Sequence, residues 1–101
     1  MIERKRRPSI PGEILKELYL KPHRITQTQL AEAMGISRKH VSQLVGGHQR
    51  IEPETAVRLA RVIGSRPEFW LNLQRAVDVF DAEAKLKRWK PAKLTPIGVT
   101  L

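Results

Sequence analysis

From Gly35 to Gly46 the chain reads Gly-Ile-Ser-Arg-Lys-His-Val-Ser-Gln-Leu-Val-Gly. At helical spacing Val41, Leu44 and Val45 share one side, which leaves Arg38, Lys39, Ser42 and Gln43 on the other. Those four are reaching, hydrogen-bonding side chains. Arg or Lys can pair with the major-groove acceptors of guanine, Gln can pair bidentately with adenine, and a serine hydroxyl can support either. The chemistry they offer is recognition, with Arg38, Lys39, Ser42 and Gln43 as candidate base readers. Gln27 and Thr28, at the start of the preceding predicted helix, are placed to meet phosphate, as are His48 and Arg50 in the following loop. The blander alternative is a helical corner that binds nothing. Against it stand the polar outer side of this helix and its position in the only basic part of the chain's body.

No pattern for bond-making chemistry accompanies these residues. The three histidines, His23, His40 and His48, lack the spacing of a metal site. There is no cysteine, which excludes disulfides, thiolate zinc sites and thiol catalysis. Glu52 and Glu54 flank Pro53 at a predicted helix start, where the helix dipole accounts for them. A small basic ribonuclease would need a histidine or carboxylate converging with Lys or Arg, and the pattern supplies none. The expectation is a protein that is not an enzyme, with no catalytic residues, no metal and no cofactor.

The elements that must position these residues are short helices. Pro11-Gly12-Glu13 opens the first, over 11–20, with Ile14, Leu15 and Leu18 on one face, and Lys21-Pro22 ends it. Thr26-x-x-Gln29 is a capping box for a second helix over about 27–34, with Leu30, Ala31 and Met34 inward. Gly35 sits where a left-handed C-cap residue is expected, and Ser37 can cap a third helix over about 38–45. A three-residue link, Gly35-Ile36-Ser37, makes the two helices cross steeply. Glu52-Pro53-Glu54 opens a fourth, ending at Gly64. Ser65-x-x-Glu68 reads as another capping box before a fifth helix that reaches the mid-80s. Leu94–Leu101 has β-branched patches that allow a short strand. The expected fold class is all-α: a compact five-helix domain containing a helix-turn-helix, with a basic N-terminal arm and a C-terminal tail.

The chain has 101 residues, enough for one domain with a helical core. Its divisions are an arm over 1–8, the helical domain over 9–84 and a tail over 85–101. Nineteen Lys and Arg against 10 Asp and Glu give a net charge of +9, which points to a polyanionic partner. Residues 1–7 carry +3 and 85–101 carry +5, so the body over 8–84 carries only +1. Within the body, 24–50 carries +3 and 51–84 carries −2. No apolar run approaches the ~20 residues of a membrane span and no secretory signal opens the chain, so a cytoplasmic location and no membrane contact are expected.

The order of these features is more specific than the helix pair. Pro11-Gly12-Glu13-Ile14-Leu15, Thr26-Gln27-Thr28-Gln29-Leu30-Ala31, Ile36-Ser37-Arg38, Thr55-Ala56-Val57-Arg58-Leu59-Ala60 and Pro67-Glu68-Phe69-Trp70-Leu71-Asn72-Leu73-Gln74 follow one another. The set resembles the HigA family of antitoxins, the virulence-associated protein I type, within the phage-repressor-like helix-turn-helix group, over about residues 8–80. The resemblance implies a type II toxin–antitoxin module in bacteria. Its antitoxin neutralises a small toxin that cleaves mRNA on the ribosome and, as a homodimer, represses its own operon. A stand-alone repressor without a toxin partner is the alternative.

Phe69, Trp70, Leu73, Val77 and Phe80, with Leu71 and Ala76, give the fifth helix more apolar surface than one small domain hides. By this excess and by the resemblance, Phe69, Trp70, Leu73, Val77 and Phe80 are assigned to a homodimer interface. Two-fold symmetry then sets two recognition helices roughly 34 Å apart on double-stranded DNA, over a palindromic operator. The net acidic fourth and fifth helices suit a cognate small basic toxin protein. Arg4-Lys5-Arg6-Arg7 reads as a solvated arm, a minor-groove arm or a source of non-specific phosphate attraction. Trp89 lies between Arg88 and Lys90 in the tail, where the toxin could equally dock.

Overall fold

The structure, a computed structural model, describes residues 6–93. Helix α1 (Pro11–Leu15) runs without a break into a π-helical stretch, Lys16–Leu20. Then follow α2 (Gln27–Met34), α3 (Arg38–Gly46), α4 (Pro53–Ile63) and α5 (Pro67–Lys85), with no strand among the described residues. The architecture is all-α, as the periodicity predicts. The strand considered for Leu94–Leu101 and residues 1–5 of the arm lie outside the described residues.

Helix boundaries follow the side chains that close them. Thr26 Oγ1 accepts from the Gln29 N–H at 3.0 Å, and Gln29 Oε1 accepts from the Thr26 N–H at 2.9 Å, so the capping box of α2 is complete. Gly35 takes φ 70°, the left-handed value that an L side chain disfavours, and turns the chain out of α2. Ser37 Oγ then accepts from the His40 N–H at 3.0 Å and starts α3. Arg58, on α4, donates to the carbonyl of Met34 at 2.8 Å, so a neighbouring helix satisfies one of the open carbonyls at the end of α2.

Two local expectations are corrected. Leu18 does not join the inward face of the first helix; it is 58% exposed, and Leu20 is buried in its place. The cause is the π-helical stretch, where Lys21 N–H reaches back five residues to the Lys16 carbonyl. A wider turn moves the inward register from Leu15 to Leu20. Ser65 does not cap α5. With Pro67 in the first turn the N-cap is Arg66, which has no side-chain cap, and Ser65 Oγ accepts from the Trp70 indole N–H at 2.8 Å.

One core unites the five helices: Leu15, Leu20, Leu30, Ala31, Met34, Val41, Leu44, Ile51, Ala56, Leu59, Ala60 and Trp70. Trp70 is wholly buried, 5.5 Å from Tyr19 and 4.9 Å from Phe69 between ring centroids. One close contact is between backbones. Gly12 lies against the end of α3, where an added Cβ would fall on the Leu44 carbonyl oxygen and 2.8 Å from Val45 Cα. Neither is the movable end of a side chain, so the Pro-Gly-Glu opening has a steric reason. Gly12→Ala should push α1 off α3 and lower stability by about 2–3 kcal/mol, read as a drop in the urea midpoint. An unchanged midpoint would show that α1 is not seated this closely.

Candidate nucleic-acid interface

Helix α3 has two sides in different solvents. Val41 and Leu44 are buried completely, packed with Ala31 and Met34 of α2. Arg38, Lys39 and Ser42 are exposed and Gln43 is half-buried, so the four predicted base readers do reach one outer side. Among the described residues, Arg38 and Lys39 enter no ion pair and no side-chain hydrogen bond. Their donors are therefore open to a ligand. Thr28 is exposed and Gln27 half-buried at the start of α2, where the first backbone N–H groups have no helical acceptor. His48 is exposed in the loop after α3, and its N–H donates to the Gln43 carbonyl at 2.8 Å.

Arg50 differs from the sequence expectation of an open phosphate ligand. Its Nη1 and Nη2 donate to the two oxygens of Asp78 on α5 at 3.0 and 2.6 Å, and its Nε lies 3.3 Å from Glu52. Hydrogen bonding from Arg50 holds the Asp78 carboxyl below its ordinary range, and the Arg50 guanidinium is held correspondingly high. Asp78 also accepts from the Gln74 amide at 3.1 Å, while Gln74 Oε1 accepts from the buried Ile51 N–H at 2.8 Å. The chain Ile51–Gln74–Asp78–Arg50 bolts the loop after α3 to α5. Sequence reading missed it, although a signal was present: Gln74 is a polar residue between Trp70 and Val77 on the buried stripe of α5. Arg7 is likewise grouped with the N-terminal arm by sequence alone. It instead donates from Nε and Nη2 to the two oxygens of Asp81 at 2.9 Å each.

The residues assigned to a dimer interface separate into two groups. Trp70 and Val77 are buried within the protomer and are not available to a second chain. Phe69 is exposed, and Leu73 and Phe80 are half-buried. At about 100° per residue, the side of α5 opposite Trp70, Gln74 and Val77 carries Ala76 and Val79, both exposed. A cleft of about 700 Å³ follows this side, lined by Pro8, Ala76, Val79 and Phe80 among others. The net acidic charge expected of α4 and α5 is answered from outside the two helices, since Asp78 and Asp81 pair with Arg50 and Arg7.

A capped helix pair around a left-handed glycine, with an open polar side on the second helix, defines a helix-turn-helix protein, and residues 15–71 match the family model of that description. The relatives specify it further. Antitoxin HigA-1 of Vibrio cholerae is 49% identical over 81 residues, covering 80% of this chain and 76% of the relative. The solved structure of the Pseudomonas aeruginosa antitoxin HigA with its higBA promoter is 33% identical, has a TM-score of 0.77, and covers 81% of this chain and 89% of that one. Antitoxin GraA in complex with its operator is 29% identical, with a TM-score of 0.79 over 95% of this chain and 100% of that one. The chain belongs to the HigA family of helix-turn-helix antitoxins.

The Asp78 pairing gives a pH test. A carboxyl whose folded value is depressed adds stability above its unfolded value and loses it as pH falls through the folded one. The wild-type chain should melt higher than Asp78→Asn at neutral pH, with the gap closing below about pH 4. A gap that is constant across that range would mean the pair contributes nothing through charge.

Proposed function

We propose that this chain is the antitoxin of a toxin–antitoxin pair. It acts by binding and not by catalysis. In the cytoplasm it represses its own operon as a homodimer, and it masks a small, basic, mRNA-cleaving toxin. The observation that carries the DNA-binding part is the outer side of α3: Arg38 and Lys39, unpaired among the described residues, with Ser42 and Gln43, on a helix whose other side is fixed in the core. Family membership supports the antitoxin part, and the two operator-bound or promoter-bound neighbours support double-stranded DNA as the ligand.

In this reading Arg38, Lys39 and Gln43 read bases with Ser42 in support. Gln27, Thr28 and His48 hold phosphates, and Arg50 does so only on leaving Asp78. The second copy docks on the free side of α5, at Ala76, Val79 and Phe80 with Phe69 and Leu73 at its edges. Two-fold symmetry across that side requires the two copies of α3 to lie about one DNA turn apart, roughly 34 Å, over a palindromic site. The arrangement leaves Trp70 and Val77 inside each protomer.

Two measurements test it. Fluorescence anisotropy on duplexes tiling the region upstream of its own gene should show a preferred site. Arg38→Ala and Gln43→Ala should each weaken binding there by about 1–3 kcal/mol, with far less effect on a random-sequence duplex. An equal loss on both duplexes would remove these residues from base reading. Sedimentation should show a dimer that Val79→Lys converts to monomer with unchanged helical content by circular dichroism. A Val79→Lys chain that stays dimeric would move the interface elsewhere. Co-expression with the small reading frame beside the gene should yield a co-purifying complex, and its absence would leave a stand-alone repressor.

A further inference from the structure

Arg7 and Arg50 come from segments 43 residues apart, yet both line one notch of about 280 Å³, together with His48, Pro11, Gly12 and Gln74. Each arginine makes a two-bond fork with an aspartate of α5: Arg7 with Asp81, Arg50 with Asp78. The two aspartates are three residues apart, so they are neighbours on the helix surface. All four side chains are between one-third and roughly half exposed. Such pairs are weak and open to competition from another anion. A phosphodiester presents two oxygens to a guanidinium in the same fork geometry as a carboxylate.

The local charge decides how the notch behaves. Arg50 faces Asp78 and Glu52, and Arg7 faces Asp81. With its pairs intact, this edge of the molecule offers a passing polyanion no net positive charge. Yet Arg50 lies in the loop that directly follows α3, with Arg7 beside it on the same notch, where DNA phosphates flank a seated recognition helix. We propose that Asp78 and Asp81 are internal stand-ins for phosphate. Arg7 and Arg50 are stored on them and exchange onto the DNA backbone when α3 enters the groove. The exchange rests on the DNA-binding reading above and deepens it. Two phosphate ligands are masked during non-specific encounters and released at a seated site, which widens the gap between specific and non-specific affinity.

The test is a set of salt titrations of binding, with a random-sequence duplex and with the preferred upstream duplex as probes. Asp78→Asn and Asp81→Asn should each tighten binding to the random duplex about three- to tenfold near 0.1 M salt, and the preference for the upstream duplex should shrink. Arg50→Ala should lower the slope of log affinity against log salt by about 1 on the upstream duplex. In the Arg50→Ala background, adding Asp78→Asn should change affinity less than twofold. A gain that persists without Arg50 would reduce the effect to net charge and overturn the exchange, as would Asn variants that bind equally or more weakly. Asp81, whose one described hydrogen-bond partner is Arg7, repeats the test without touching Gln74, should Asp78→Asn lose its fold. If the wild-type chain prefers no upstream duplex, the DNA-binding reading falls and the exchange with it. If it does prefer one and the aspartate variants behave as wild type, only the exchange falls.

Discussion

Helix α3 must be held by one side only, and held deeply. A recognition helix that carried core residues all round would have nothing left to offer, and one that carried few would not stay in register with a rigid ligand. Here two residues, Val41 and Leu44, do the holding, and both are buried completely. That depth is possible because the surfaces beneath them are small. Ala31 on α2 lets the two helices of the motif close, and Gly12 on α1 has no side chain where it meets the backbone of Leu44 and Val45. Interiors pack like organic crystals, so a single methyl at such a contact displaces a helix and does not merely compress it. The position of Arg38 and Lys39 in solvent therefore depends on the absence of atoms at residue 12, more than 20 residues upstream.

Helix α5 supplies the second constraint. Its inner stripe begins as core with Trp70, becomes a polar joint at Gln74, returns to core at Val77 and ends in Asp81. Gln74 has one orientation open to it. Its oxygen is claimed by the buried Ile51 N–H and its nitrogen by the Asp78 carboxylate, and exchanging the two would set donor against donor and acceptor against acceptor. A joint of this kind ties the loop after α3 to α5 more specifically than an apolar contact would. The same helix turns Ala76 and Val79 to solvent on its opposite side, so a chain seated there would be referenced directly to the recognition helix of this one.

Most of the helices were legible because their ends are written locally. The Thr26–Gln29 box, Ser37, Gly35 and the prolines at 11, 53 and 67 are each decided within one turn of chain. The predicted base readers were legible for a related reason: helical period sorts Val41 and Leu44 from Arg38 and Lys39 without reference to any other element. The errors fell where something beyond that one turn decides. Ser65 looks like a cap until Trp70 claims its hydroxyl. Leu18 looks inward until a π-helical stretch changes the count. Trp70 and Val77 read as surplus apolar area, since amphipathic pattern alone does not say which of two partners, the chain's own core or another copy, covers a given side.

Charge shows the same limit in a form that bears on function. Summed along the chain, 24–50 is basic and 51–84 acidic, which reads as two faces for two partners. In space the segments meet: Arg50 answers Asp78 across them, while Glu54 pairs with Arg58 inside its own helix. The N-terminal arginine answers Asp81 in the same way. A cation already paired within the molecule draws a polyanion little, because its field is cancelled within a few ångströms, well inside the ~8 Å screening length of physiological salt. Among the described residues, the open positive charge of 24–50 is thereby reduced to Arg24, Arg38 and Lys39, the last two on the side of α3 that period alone marks as polar. A protein that reads bases gains from this. Phosphate attraction is the same at every site along a duplex, whereas contacts to base edges differ from site to site, so pairing off the peripheral arginines removes the part of affinity that carries no sequence information.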